Sequence, residues 1–173
     1  LNFIFNHNMR TGDPLIALKL AESANGMVAE RSGQPSSVTG KEARADVMQW
    51  RRLFPSICVG SGTVLSDDPS LTSRLPDNTW CPVRILVDSS LSTLAEGVSL
   101  RKVYVDEFSD RTVVLTTAKG TENAERVTRA KEIGVRLIEV EESKSGGVAP
   151  SCLRAVLADL SLNSVYCEGG PTF

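Results

Sequence analysis

A chain of 173 residues, 41% apolar and 23% charged, can bury one core without disulfide or metal staples. Its formal net charge of −2 supplies no basic field for nucleic acid or an anionic membrane, so any anion must be held by a local cluster. No apolar run approaches the ~20 residues that span a bilayer, and the N-terminus lacks a basic-then-apolar signal pattern. Cys58, Cys81, Cys152 and Cys167 show no C-x-x-C spacing and read as buried free thiols of a reducing, cytoplasmic compartment.

Residues 1–13 are rich in turn formers (Asn2, Asn6, Asn8, Gly12, Asp13), and only Phe3, Ile4 and Phe5 can pack. An irregular leader is expected, with His7 as an unpartnered linker residue. Leu15 to Ala21 reads as a strand apolar on both faces except for Lys19. A lone lysine there either snorkels from the strand end or reaches a carboxylate or ligand, because an unpaired buried ammonium is costly. Ser23-Ala24-Asn25-Gly26 is a turn, and Gly33 to Ser37 a polar loop. Thr39-Gly40-Lys41-Glu42 has the form of a capping box, which predicts a helix with Thr39 as its N-cap. Ala43, Val47, Trp50 and Phe54 recur at helical spacing and predict one buried face with Trp50 in the core. Pro55 ends the helix.

Ser56 to Val59 is a central strand that leads into Gly60–Arg74, G-S-G-T-V-L-S-D-D-P-S-L-T-S-R. Glycines without a Cβ let backbone N–H groups approach a phosphate or a flat ring. Pro69 is expected to hold Asp68 extended beside Asp67, while Leu71, Thr72 and Arg74 offer an apolar contact, a hydroxyl and a planar cation. The stretch also reads as a plain strand-turn segment with a solvated aspartate pair, because short motifs recur by chance.

Pro82 to Ser89 is a buried strand whose terminal Ser89 suits either an adenosine contact or a strand-to-turn cap. Leu94 to Ser109 reads as loop with one short strand. Thr112 to Thr117 is a β-branched strand. A helix follows from near Thr121, with Glu122 and Glu125 in its first turn and Gly134 at its end. Val135 to Val140 is a strand, Glu141 to Ala149 a charged loop, and Leu153, Val156, Leu157 and Leu160 mark another helix. This alternation predicts one α/β domain with a mostly parallel sheet flanked by helices. The last strand runs from Ser164 into Glu168-Gly169-Gly170-Pro171-Thr172, where the glycines and a helix opening at Pro171 direct N–H groups at a pyrophosphate.

Taken together, T-V-L-x-D-D-P at 63–69, L-T-x-R at 71–74 and E-G-G-P-T at 168–172 resemble the reductase domain of bacterial riboflavin-biosynthesis deaminase/reductases. These are the NADPH-dependent 5-amino-6-(5-phosphoribosylamino)uracil reductases, of the dihydrofolate-reductase-like fold. The resemblance covers residues 14–173 and leaves 1–13 as a leader or linker. It implies hydride transfer from NADPH to C1′ of the ring-opened sugar imine, turning ribosyl into ribityl, with no metal. By position, Ala21, Thr63, Asp67, Ser89, Gly169, Gly170, Pro171, Thr172 and Phe173 would line the NADPH site. Arg51, Leu71, Arg74 and Glu168 would contact the phosphorylated pyrimidine, with Lys19 and Asp67 nearest the reacting ribose. Lys119 is the candidate for the ribose 2′-phosphate. The resemblance further implies a homodimer and a fused or partner deaminase domain, whose zinc ligands do not occur in this chain.

Three departures stand out. Asn25 replaces an aspartate, and Pro35-Ser36-Ser37 replaces Ser-x-Trp, which removes an aromatic cofactor contact and a substrate-binding hydroxyl. The family pattern also continues beyond Phe173, so the C-terminal part of the domain is expected to be missing. The alternative readings are a dihydrofolate-reductase-like reductase of another pterin or pyrimidine, and a non-catalytic nucleotide-binding module.

Overall fold

β-branched runs alternating with amphipathic segments form a six-stranded sheet in the order β1-β8-β2-β5-β6-β7, every neighbouring pair parallel. The strands are β1 (Leu15–Lys19), β2 (Ser56–Gly60), β5 (Val83–Val87), β6 (Thr112–Thr116), β7 (Arg136–Glu139) and β8 (Ser164–Glu168). A two-residue antiparallel ladder joins β3 (Ser73–Arg74) to β4 (Thr79–Trp80). The helices are α1 (Phe3–Thr11), α2 (Lys41–Leu53), α3 (Ser61–Asp67), α4 (Lys102–Val105), α5 (Ala118–Thr121), α6 (Ala124–Glu132) and α7 (Cys152–Asp159). The computed structural model describes residues 2–23, 25–26 and 39–169.

Successive strand residues point to opposite faces, so the sheet carries two cores. On one face Ile57, Val59, Leu86 and Val114 pack with Val64 of α3, Ala130 of α6, and Leu71, Leu91 and Leu94. On the other, Cys58, Ile85, Val113, Leu115, Val165 and Cys167 pack under Val156 and Leu157 of α7. Cys58, Cys81 and Cys167 are buried, and all four cysteines are free. Cys58 and Cys167 stand in register on β2 and β8; hydrogen bonding with Cys167, then burial, pushes the Cys58 thiol up.

Several expectations are corrected. The leader is helical: Asn2 caps α1 by accepting from Phe5 N–H at 3.4 Å, and Gly12 closes it at φ 75°. Asn and Gly serve as helix caps as readily as turn residues, and burial of Ile4 against Phe54 and Tyr166 decides between them. His7 therefore lies in a helix, with Nε2 buried and unpartnered among the described residues. β1 is an edge strand, leaving Leu18 59% exposed. α2 begins one residue later than the capping box predicts, with Gly40 and not Thr39 as its cap. It buries no residue within its bounds, and Trp50 is 40% exposed.

Gly60-Ser61-Gly62 does not form an open turn, because the chain enters α3 directly. Asp68 is left-handed (φ 43°, ψ 54°) and not extended; aspartate tolerates this region, and its Oδ1 accepts from the Lys102 N–H at 2.8 Å to start α4. Between Leu94 and Ser109 there is no strand; the chain forms 3-10 turns at Ser92–Leu94 and Ser109–Arg111 around α4. Buried Arg84 causes this curl, drawing in the carbonyls of Val103 (2.9 Å) and Phe108 (2.6 Å) while pairing with Asp106. The helix expected from Thr121 is split, and Asn123 caps α6 by accepting from Arg126 N–H at 3.1 Å, so Glu122 precedes it. Gly134 ends the segment at φ 72°, as read from the sequence. Among the described residues no helix is long and apolar enough to cross a membrane.

Candidate active site

In open parallel sheets, ligands bind beyond the carboxyl ends of the strands, where the strand order reverses. Here β2, β5, β6 and β7 run outward in chain order on one side, and β8 and β1 lie on the other. Lys19 ends β1 and Glu168 ends β8, paired in register. Their side chains share a face with Tyr166, the one on which α2 packs through Trp50, with Phe54 just beyond the helix stacked on the same tyrosine.

Arg51 reaches back from the last turn of α2 and grips Glu168 with two parallel bonds, Nε to Oε1 at 2.6 Å and Nη2 to Oε2 at 2.9 Å. Its Nη1 donates to the Thr72 carbonyl at 2.9 Å. Both side chains are nearly enclosed, 11% and 13% exposed, so this bidentate pair is sheltered from screening. Arg74 Nη1 donates to the Thr72 hydroxyl at 3.0 Å. Arg51 thus neutralises Glu168 directly, while Lys19 stands opposite Glu168 in the strand register and Arg74 is tied to the same Thr72 as Arg51.

A cleft of about 440 Å³ opens between β1 and α2, lined among others by Lys19, Ala21, Ala43, Asp46, Val47 and Trp50. The Trp50 indole N–H donates to Asp46 Oδ2 at 2.9 Å, and its ring lies 9° from parallel over Tyr166. Further along the sheet, the Ser89 carbonyl accepts from the hydroxyls of Thr116 and Thr117, each at 3.0 Å. Buried Asp88 fixes the turn by accepting from the N–H and hydroxyl of both Ser92 and Thr93. A Cβ at Gly120 would overlap Thr116 Oγ1 and lie 3.0 Å from Ser89 O, so only glycine lets these two strand ends meet. The side-chain hydroxyls of Ser61, Thr63 and Ser89 have no hydrogen-bond partner among the described residues, a donor set that fits ribose and phosphate oxygens of a dinucleotide.

The RibD C-terminal domain family matches residues 14–173. The chain belongs to this family. The riboflavin biosynthesis protein RibD of Bacillus amyloliquefaciens is 35% identical over 170 residues, 98% of this chain and 43% of that protein. Acinetobacter baumannii RibD superposes with a TM-score of 0.74 at 27% identity, over 99% of this chain and 44% of that one. A Thermotoga maritima diaminohydroxyphosphoribosylaminopyrimidine deaminase/5-amino-6-(5-phosphoribosylamino)uracil reductase does so with a TM-score of 0.74 at 26% identity, over 97% and 42%. The chain therefore spans less than half the length of these relatives, and its sheet and flanking helices have the dihydrofolate-reductase-like architecture of RibD reductase domains.

Within this RibD-type site the residues expected from the sequence are placed unevenly. Arg51 and Arg74 meet at Thr72, Arg51 also holds Glu168, and Lys19 and Ala21 line the cleft, whose walls do not include Arg51, Arg74 or Glu168. Leu71 does not offer its side chain to a ligand: it is 1% exposed and packs in the core, with its backbone at φ 55°. Asp67 is exposed and accepts from Ser66 Oγ at 2.6 Å; it makes no bond to Lys19 among the described residues. Thr63 is half-buried in the first turn of α3, Ser89 is half-buried just beyond β5, and Gly169 follows β8. Gly170, Pro171, Thr172 and Phe173 lie outside the described residues, as do Pro35, Ser36 and Ser37. The sequence reading missed Trp50 as a cleft residue. Its signal was Asp46 four positions earlier, on the same helical face and able to accept from an indole N–H.

Proposed function

We propose that this chain is an NADPH-dependent reductase of 5-amino-6-(5-phosphoribosylamino)uracil, acting in riboflavin biosynthesis to give the 5-phosphoribitylamino product. The observation that carries this reading is the Lys19–Glu168 register pair with Arg51 clamped on Glu168 beside the cleft, in a family whose Thermotoga maritima member is named as that reductase.

Reduction adds a hydride to C1′ of the ring-opened imine and a proton to its nitrogen. NADPH, when bound, supplies the hydride; Ala21, Thr63 and Ser89 would hold it along the strand ends, with Asp67 at the rim. Glu168 gives each oxygen to Arg51 once, which leaves a second lone pair on each for a sugar hydroxyl. Arg51 spends three of its five N–H donors on Glu168 and Thr72 and keeps two. Together with Arg74 these form a fork suited to a phosphate. Lys19, with three donors and no ion partner among the described residues, is the proton and hydrogen-bond partner nearest the reacting carbon. The main work of the protein is to hold that carbon against the cofactor.

In the same reading the protein acts in the bacterial cytoplasm, as a homodimer, with a deaminase domain joined to it or paired with it. The Thermotoga maritima relative, named as a deaminase/reductase, supports the deaminase association. Fluorescence titration with NADPH and with NADH, followed by NADPH oxidation in the presence of the phosphoribosylaminouracil, tests the proposal. Saturable binding at roughly micromolar NADPH, weaker NADH binding and substrate-dependent oxidation are expected. Oxidation absent with this substrate but present with another pterin or pyrimidine would replace it.

A further inference from the structure

Two of the arginines assigned to the substrate meet at one buried residue. Thr72 is 4% exposed, so it is sealed beneath them. Its carbonyl takes Arg51 Nη1 and its hydroxyl takes Arg74 Nη1. The segment around it is seated firmly: the Ser70 carbonyl accepts from Arg84 at 3.2 Å, Leu71 is locked in the core, and the Ser73 hydroxyl donates to the Met48 carbonyl at 2.7 Å.

The two arginines differ in how they are held. Arg51 has three anchoring bonds, two of them to a carboxylate. Arg74 is an exposed residue without an acidic partner among the described residues, and the Thr72 hydroxyl is the side-chain acceptor that fixes its guanidinium. An arginine already held in its binding pose loses little freedom when a phosphate arrives, whereas a loose one loses much.

We propose that Thr72 is a positioning residue whose hydroxyl aims Arg74, beside Arg51, at the phosphate of the substrate. This rests on the reductase reading above. The role belongs to the hydroxyl specifically, because the carbonyl that serves Arg51 survives any side-chain change.

Thr72→Val keeps the shape and β-branching and deletes the acceptor; Thr72→Ser keeps the acceptor. Steady-state kinetics are compared with the phosphorylated substrate and with its dephosphorylated nucleoside, alongside thermal unfolding. For T72V the KM of the phosphorylated substrate should rise about tenfold, with kcat and the KM for NADPH within about twofold. T72S should stay close to the parent, and the nucleoside should be insensitive to either change. A loss shared equally by substrate and nucleoside, a fall in kcat at unchanged KM, or T72S as impaired as T72V would overturn the proposal. Direct titration with ribose 5-phosphate separates this proposal from the reductase reading. Binding that T72V and Arg74→Ala both weaken supports the Thr72 role even in a protein without turnover. Binding indifferent to T72V, or no binding by the parent chain, overturns it.

Discussion

Lys19 and Glu168 close two neighbouring parallel strands at the same level and on the same face of the sheet. Glu168 is already neutralised by Arg51, so the Lys19 ammonium remains available to a ligand in the cleft. Replacing Lys19 by Met should lower single-turnover reduction by at least about 100-fold. Because Lys19 sits half-buried at the end of an edge strand, the urea midpoint and the NADPH titration should stay unchanged. A Lys19→Met protein that turns over normally would remove lysine from the mechanism.

The Arg51–Glu168 pair is sheltered enough for its partners to depend on each other. Removing one should leave the other uncompensated, at a cost on the order of 3 kcal/mol. The double variant Arg51→Met/Glu168→Gln should then be less destabilised than the sum of the singles, which a double-mutant cycle in urea measures. Additivity within about 0.5 kcal/mol would show that the pair is energetically uncoupled.

Arg84 is 0% exposed and points its whole guanidinium into the fold. It pairs with Asp106 at 2.7 and 2.8 Å, and takes the carbonyls of Ser70, Val103 and Phe108 and the hydroxyl of Thr112. Arg84→Met should leave the Asp106 carboxylate without its cation and the Ser70 carbonyl without a donor, while Val103 O keeps the Thr112 hydroxyl and Phe108 O the Arg111 N–H, destabilising the protein by about 3–5 kcal/mol. Asp106→Asn, which leaves the carbonyls bonded, should cost less. Equal midpoints for the parent and Arg84→Met would contradict this.

The contrast between Arg84 and β8 shows what the sequence can disclose. β8 was legible because Val165, Tyr166 and Cys167 form an apolar run ending at glycines, and a strand buried on both faces needs that run. Gly134 and the Leu153–Leu160 stripe were legible because helix ends and faces are local properties. Arg84 was not, since its acceptors come from positions 70, 103 and 108, joined only by the fold. β1 has the same apolar composition as a central strand, and its edge position depends on where β8 inserts. Asp68 was misread for a similar reason: Pro69 acts locally, but the distant Lys102 N–H overrides it. In the site, motif resemblance brought Arg51, Arg74 and Glu168 forward together. The seat that Arg51 and Arg74 share at Thr72 required coordinates.

Both tyrosines of the chain are buried, Tyr104 at 3% and Tyr166 at 6% exposure. Burial, and then the Glu168 carboxylate, pushes Tyr166 up to about 12 against the pull of Arg51. Burial raises Tyr104 further, with the Thr93 hydroxyl bond opposing. The fold thus prefers neutral phenols, while the unfolded chain ionises near pH ~10. Their stabilising contribution is complete below that pH and is lost as the pH rises towards 12. Spectrophotometric titration should show no tyrosinate near pH ~10 in the folded protein, and Tyr166→Phe should flatten the alkaline fall in stability. A normal tyrosinate step without unfolding would refute the assignment.

Asp67 and Asp68 are adjacent in sequence but separated in task. Asp68 starts α4 through the Lys102 N–H and lies 3.7 Å from the Lys102 ammonium. Asp68→Ala loses that cap and places alanine in a left-handed conformation, so about 1–2 kcal/mol of stability should go. Asp67 is exposed and holds only Ser66 Oγ. Asp67→Asn should leave stability within about 0.5 kcal/mol while reducing turnover sharply, through a higher KM for NADPH, a lower kcat or both. Urea unfolding and steady-state kinetics on the two variants separate the roles. If Asp68→Ala lost activity at full stability and Asp67→Asn lost neither, the site aspartate would be Asp68, and its left-handed backbone would belong to the chemistry and not to the start of α4.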